Sequence, residues 1–405
     1  MSTNSRPVTA VPAMHGIDNI ELLELRLLES ARSSNRRGTV QQIADILPPS
    51  RECSDILLAH GELWISWMHF ALHSPTFSRE HQEFWETGGS LQPQSKDDSL
   101  WLAIYFSYLC GVVLLLSEDE AADAGLPYND SNLVLNNWYD AAVFFLNQGD
   151  FLRHHHIRSV QAVAVLSIVF NNIKDTSFQE SILASAIRIA QALRLDQDAA
   201  NTHASVIDRE TRRRVWWTLM ICEWLAIPHR PPCVSELDFD VAFPSLATDD
   251  EISPAKISLN SPSHQPRPVQ YHIALSKIAI VYHRFRSLLR LTRWESSQIT
   301  SVVIGADQEL ADLIDDLPPH LQADEVQTPK TQHRDLLHPW IAWQKSSLST
   351  VLLYYRTLIS RTLQGHWIDG DAVEARIRSI CLGSAQGIIS NIRAGPVADT
   401  RWRPW

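Results

Sequence analysis

Three observations predict an all-α fold. Apolar residues recur at helical spacing over most of the chain, the breaks between periodic segments fall at Pro and Gly, and no stretch alternates apolar and polar side chains with β-branched enrichment. The chain has 405 residues, 45% hydrophobic and 20% charged, a length and balance that suit a large buried core and not a disordered polymer. No repeat of fixed period is present, so the expected form is a large multi-helix array in one domain, not a solenoid.

Taken in order, residues 1–16 read as a tail. Ile17 to Glu29 then places Ile20, Leu23 and Leu27 at coiled-coil spacing, a short amphipathic helix that offers a homo- or heterodimer seam. Together these make residues 1–37 a unit apart from the main domain over 38–395, with 396–405 a second tail. A helical pattern beginning at Asp55 runs to Ser74 and Pro75, where proline disfavours helix in the residue before it. Gly88, Gly89 and the polar run to Asp98 read as a loop.

Trp101 to Leu116 is nearly all apolar but shorter than the roughly 20 residues that cross a bilayer, so it is expected as a buried helix. Helical period continues through Val143–Leu146 and Ile157–Val169. In SFQESILASAIRIAQALRL, Ser177 and Glu180 form a candidate capping box, and Phe178, Ile182, Ala186, Ile189, Ala190 and Leu193 share one face. Residues 228–268 are rich in Pro, Ser and Asp with no helical period, a long connection of the kind that is functional or disordered. Helical patterns return at Tyr271–Leu291 and Gln298–Leu317, break at Pro318 and Pro319, and resume over Leu336–Leu363 and Ala372–Arg393.

Charge and cysteine content exclude several classes. With 35 Lys and Arg against 46 Asp and Glu, the formal charge is −11, the wrong sign for a chain that binds phosphates along its whole surface. Cys53, Cys110, Cys222, Cys233 and Cys381 form no C-x-x-C pair, which argues for a reducing compartment and against a disulfide framework or a cysteine-built zinc site. The first residues lack the basic and apolar regions of a secretory signal. No nucleophile-elbow, Walker or dinucleotide-binding motif occurs.

Two clusters invite metal chemistry and are better read as structure. His154, His155 and His156 are adjacent, so they do not face one direction on a helix. Asp312, Asp315 and Asp316 alternate with Leu310, Leu313, Ile314 and Leu317 at helical spacing, which makes the acids a solvated face.

TRRRVWWTLMICEWLAIPHRPPC, Thr211 to Cys233, presents a sharper question, because arginine beside tryptophan is a nucleic-acid signature. Its context points inward. Ser205 and Asp208 suit a helix start, and Glu210 lies three and four residues before Arg213 and Arg214, a spacing for ion pairs. From Val215 to Ala226 only Thr218 and Glu223 are polar, so Trp216, Trp217 and Trp224 belong in a core.

DRETRRRVWWTLMICEWLAIPHRPPCVSELDFDVAFP, Asp208 to Pro244, resembles the signature of the fungal-specific transcription factor domain, the middle homology region of zinc binuclear cluster regulators. Its arginine run is held here by Arg212, Arg213 and Arg214, its tryptophan pair by Trp216 and Trp217. Its Arg-Pro loop is held by Arg230 and Pro231, and its closing aspartates and proline by Asp238, Asp240 and Pro244. Leu47 to Phe77, with His73, Pro75 and Phe77, is similar to the family's opening segment, and Gln161 stands in a helix pair like the one before its core. His229 replaces the usual glycine before Arg230, and Thr362 follows Arg361 where proline is common.

The resemblance implies a nuclear, non-enzymatic regulatory domain that controls transcription of target genes, including those of a metabolic cluster. It implies contacts with transcription machinery or co-regulators, a small-molecule effector, no membrane, and DNA reached only indirectly. The family's DNA-reading module needs six closely spaced cysteines around two zinc ions, and the chain has none so spaced. No cofactor is therefore expected in the chain, and zinc only with a preceding cluster segment. The alternative is an interaction protein that pairs with a full-length relative; an uncharacterised enzyme is the weaker reading. Arg230, Asp238 and Asp240 are expected to pair with Arg212 to Arg214 and hold the 228–268 loop shut.

Overall fold

The computed structural model describes residues 47–126, 131–201, 203–225, 231–259, 265–291, 296–366 and 372–394. The dimer seam expected at Ile20, Leu23 and Leu27, and the expected roles of His229 and Arg230, lie outside the described residues. Among the described residues there are helices and no strands, with one isolated bridge between Ile252 and Ile257.

The first half is built around a buried hub. α1 (Arg51–Trp64) is capped by the Ser50 side chain, which accepts the Cys53 N–H, and packs on α4 (Lys96–Leu115). Between them lie the single turn α2 (Ser66–His69) and α3 (Ser74–Glu86). Here the expectation of one helix ending at Ser74 and Pro75 is corrected. The break comes at Phe70, whose φ of 47° is left-handed, and Ser74–Pro75 begins a helix. Proline fits there because its missing N–H is one the first turn leaves unbonded anyway.

α4 is long and apolar enough to cross a membrane, but 89% of its most apolar window is buried inside the protein. It packs on α6 (Ser131–Gln148) and α7 (Ile157–Leu166), with the short α5 (Glu118–Asp123) and α8 (Phe170–Ile173) at the joints. Gly88 and Gly89, with φ of 96° and 61°, turn the expected loop ahead of it. Gly61 lets α1 approach α4 closely, since a Cβ there would lie 2.4 Å from the ring of Tyr108. Tyr108 is 3% exposed and its hydroxyl donates to the Leu58 carbonyl, so it has no room to give. Gly61→Ala is thus expected to lose about 1–3 kcal/mol to overpacking, outweighing a helix-propensity gain of at most ~1 kcal/mol. A chemical denaturation midpoint measures the difference.

α9 (Thr176–Ala192) buries Ile182, Ala186, Ile189 and Ala190 as expected, but its start differs from the predicted capping box. The helix begins at Thr176 after Asp175, with no side-chain cap bond, and the Asp175 carboxylate accepts the Tyr139 hydroxyl instead. Ser177 therefore lies inside the first turn, one residue past the helix start, and does not act as the N-cap of the predicted box.

α10 (Val206–Leu225) carries the Arg-Trp stretch and joins the two halves: it packs on α7 and α9 on one side and on α11 (Val269–Leu291) on the other. The second half continues with α12 (Ser296–Asp315), α13 (Pro329–Leu337), α14 (Trp340–Arg361) and α15 (Ala372–Ala394). α14 contacts α11, α12 and α15. Sequence periodicity misses most of α13 because it buries nothing; Leu336 and Leu337 are exposed, and Thr328 with Pro329 starts it. On α12 and the two residues that follow it, the acids Asp312, Asp315 and Asp316 are exposed while Leu310, Leu313 and Leu317 are buried, as the spacing predicts. One apolar cluster runs from Cys53 to Ile377 through both halves.

Candidate functional site

Residues 231–259 cross the outside of α10 as a strap with two short 3-10 turns, Glu236–Asp238 and Asp249–Glu251. The side chains of the Arg-Trp stretch hold it. Trp216 is fully buried and packs edge-on to Phe239, ring centres 5.3 Å apart. Trp217 donates its indole N–H to the Ala242 carbonyl at 2.9 Å and packs against Phe243 at 4.6 Å. Trp224 donates to the Val234 carbonyl at 3.1 Å, and the Glu223 carboxylate accepts the Cys233 N–H at 2.5 Å. The tryptophans therefore serve both as core and as fasteners.

The arginines complete the attachment. Arg214 is 2% exposed, with Nε 3.1 Å from Glu210 and Nη1 2.5 Å from Asp249. Its Nη2 donates to the Ala247 carbonyl at 3.2 Å, and its guanidinium lies 5.8 Å from the Phe70 ring. The second Asp249 oxygen accepts the Ser74 N–H at 2.7 Å, and Glu210 accepts the Ser245 N–H at 2.8 Å. Burial pushes the Asp249 carboxyl up, but the Arg214 charge and hydrogen bond, with the Ser74 N–H, hold it below the ordinary value. One guanidinium thus ties α10, the strap and the start of α3 together.

Arg213 grips a second point. Its Nε and Nη2 reach Asp198 at 2.9 and 2.8 Å, and Asp198 in turn accepts the Ala242 N–H at 3.1 Å. Arg212 donates to the Leu193 carbonyl at 3.1 Å and makes no contact with the strap's acids.

The expected pairing is therefore corrected in its partners. Asp238 accepts the Ser235 N–H at 2.8 Å and caps a local turn, while Asp240 accepts the Asp198 N–H at 2.9 Å. Neither meets an arginine of α10; Asp198, Glu210 and Asp249 do. A carboxylate already capping its own turn is not free to reach across, and Asp249 is aimed at Arg214 by the turn it opens. Pro231 is exposed and Pro244, within the strap, is buried. Sequence offered no local signal for Asp249, which lies 35 residues from Arg214.

Behind the latch sits a neutral histidine pair. The Thr218 hydroxyl is within reach of the His69 carbonyl, the Arg214 carbonyl at 2.8 Å and His272 Nε2 at 3.0 Å. Burial lowers both His69 and His272 to about 3, His272 further because the Arg214 charge is near. The opening segment is fastened as well: the Gln161 amide donates to the Ala71 carbonyl at 2.8 Å, and His73 Nδ1 lies 2.8 Å from Thr76 Oγ1.

The His154–His156 run holds local structure. His154 Nε2 lies 2.8 Å from Asp97, and His156 starts α7 by accepting the Arg158 N–H. Among the described residues no group of three or more His, Cys, Asp or Glu converges as for a metal ion. Between the strap, α1–α2 and the start of α14 lies a cavity of about 440 Å³, with Arg214 in its wall.

The fungal-specific transcription factor domain family matches residues 63–313, which takes in the second half of the opening segment, α10 and the whole strap. The chain belongs to this family. Among similar proteins, the Zn(2)-C6 fungal-type transcription factor pigI of Monascus ruber is 24% identical over 79% of this chain and 38% of its own length. The aurofusarin cluster transcription factor aurR2 of Gibberella zeae is 24% identical over 52% of this chain and 30% of its own. The chain therefore spans about a third of the length of these relatives. Among solved structures, a chain of the K. lactis CBF3 core matches 93% of this chain and 75% of its own length, at 11% identity and a TM-score of 0.50. That likeness shows the helical fold alone.

Proposed function

We propose that this chain is the regulatory region of a nuclear, non-catalytic fungal transcription regulator that controls the genes of a metabolic cluster. In this reading it does not read DNA itself; a zinc-cluster module or a partner supplies that step, and the domain meets co-regulators or transcription machinery. Family membership supports the general role, and the aurofusarin cluster relative supports the metabolic one. The single observation that carries the reading is the family match over residues 63–313, and the buried Arg214 latch, one charged group fastening three segments, is the element whose release the reading invokes.

The test is the full chain fused to a heterologous DNA-binding module in a fungal reporter strain. Reporter transcription is expected to differ from that of the module alone. Asp198→Asn, which weakens the strap attachment through the half-exposed Arg213 pair, is expected to change the output at equal protein abundance. Output identical to the bare module would sink the reading.

A further inference from the structure

α15 carries two apolar faces, and only one of them is covered. On the first, Ile377, Cys381 and Ser384 are buried, and the Asn391 side-chain amide donates to Ser349 Oγ at 2.8 Å. A Cβ on Gly387 would lie 2.8 Å from Leu353, so this is the face that packs on α14. The second runs through Leu382, Ala385, Ile389 and Ile392, spaced three and four residues apart, with Arg378 one turn ahead in the same row. Leu382 is 50% exposed, Ile389 53% and Ile392 59%. Single apolar side chains in water are ordinary; three in register along one helix form a surface that calls for a cover.

The charge on this helix is one-sided. Arg376, Arg378 and Arg393 are exposed, and none of them meets a carboxylate at ion-pair distance among the described residues. With Glu374 as the only acid, three arginines leave the helix at +2.

A segment of complementary character belongs to the same chain. Residues 17–29, which lie outside the described residues, repeat the three-and-four spacing at Ile20, Leu23 and Leu27. Their four acids, Asp18, Glu21, Glu24 and Glu29, stand against Arg26 alone and give −3. Residues 30–46 join this segment to Leu47, and a link of that length reaches up to ~60 Å when extended. A compact domain of this size has a radius of gyration of ~20 Å, so the link is long enough to bring the segment to α15. Residues 396–405 fit less well, because Arg401 and Arg403 against Asp399 give them the sign of α15 itself.

We propose that the second face of α15 is the docking surface for residues 17–29 of the same chain. Ile20, Leu23 and Leu27 cover Leu382, Ile389 and Ile392, and the acids of the segment lie among the arginines of α15. Tethering supplies an effective concentration of roughly millimolar, so docking within one chain outcompetes pairing between chains at micromolar protein. A segment held this way has its apolar row occupied and is withheld from a second chain. Docking depends on the two faces alone; only its effect on transcription rests on the regulatory reading above.

Hydrogen exchange of the full chain, read by mass spectrometry, tests this, with sedimentation velocity giving the oligomeric state. Residues 17–29 are expected to exchange about tenfold or more slowly than the free 17–29 peptide, in a protein that sediments as a monomer. Leu382→Ser with Ile389→Ser, both at half-exposed positions that the fold does not need, should abolish that protection. Arg378→Glu with Arg393→Glu should reduce it, and adding Glu21→Lys with Glu24→Lys should restore it, a rescue that damage to the helix would not allow. Deleting residues 396–405 should leave it unchanged. An unprotected segment, protection that survives the serine variant, or failure of the charge swap overturns the proposal. Protection confined to a dimer would assign the face to a second copy, and protection lost with residues 396–405 would assign it to that tail; either result also overturns docking of 17–29 within one chain.

Discussion

Arg214→Met is expected to lower the unfolding free energy by about 3–5 kcal/mol, because it leaves buried carboxylates facing no cation. Glu210 is 3% exposed on its side chain and Asp249 20%, so water cannot replace the lost guanidinium at the first and only partly at the second. Urea titration followed by tryptophan fluorescence measures it, and Trp217 and Trp224 report on the strap directly. Limited proteolysis is expected to show new cuts within residues 231–259. Adding Glu210→Gln and Asp249→Asn to the methionine variant should recover part of the loss, since the uncompensated charges go with the arginine. Arg284→Ala provides the contrast: its pair with Glu236 is half-exposed, and its loss is expected to cost under about 1 kcal/mol. Equal effects at Arg214 and Arg284 would show that burial is not what gives the latch its strength.

Acid is expected to destabilise the domain well before its carboxylates titrate. His69, His81, His272 and His320 are each at most 3% exposed. Burial lowers their folded-state values to about 3 for His69 and His272 and about 4 for His81 and His320, against 6.5. Below 6.5 the unfolded chain takes up protons that the folded chain refuses, so the stability from these groups is complete above that pH and falls as pH drops toward 4 and then 3. At pH 5 each histidine costs about 2 kcal/mol, and four together approach the whole stability of an ordinary domain.

Glu325 acts in the same direction at lower pH. Its hydrogen bond from Arg334, with that from Lys345, brings its carboxyl down to about 2, so its contribution is lost between about 4.5 and 2. Urea titrations at pH 7.5, 6 and 5 are expected to show a steep fall in unfolding free energy. His272→Gln should flatten that fall, while a level profile in the parent protein would rule out neutral buried histidines as its cause.

Most of the helices are legible in the sequence, and for a simple reason. A helix that buries one face repeats its apolar residues every three or four positions, so α9, α11 and α12 announce themselves, and α4 does so by being apolar all round. The inward turn of the Arg-Trp stretch is legible as well, because Glu210 stands four residues before Arg214 and only two polar residues follow it to Ala226. α13 is not legible, since it buries nothing, nor is the break at Phe70, which no glycine or proline marks.

The acids that meet the arginines were beyond reach for a different reason. Asp198, Asp238, Asp240 and Asp249 are alike as letters, all acidic and all near proline or polar loop residues. What separates them is occupation: Asp238 caps Ser235, while Asp249 is turned toward Arg214 and Ser74. The cavity shows the same division, since Glu62, Trp67, Asp250 and Trp340 come from α1, α2, the strap and α14. Sequence alone determined the all-α class, the buried tryptophans and the family, because these depend on spacing within one element. Tertiary structure alone decided which carboxylate each arginine holds and which face of α15 is left open, because those depend on distances between elements that no local pattern encodes.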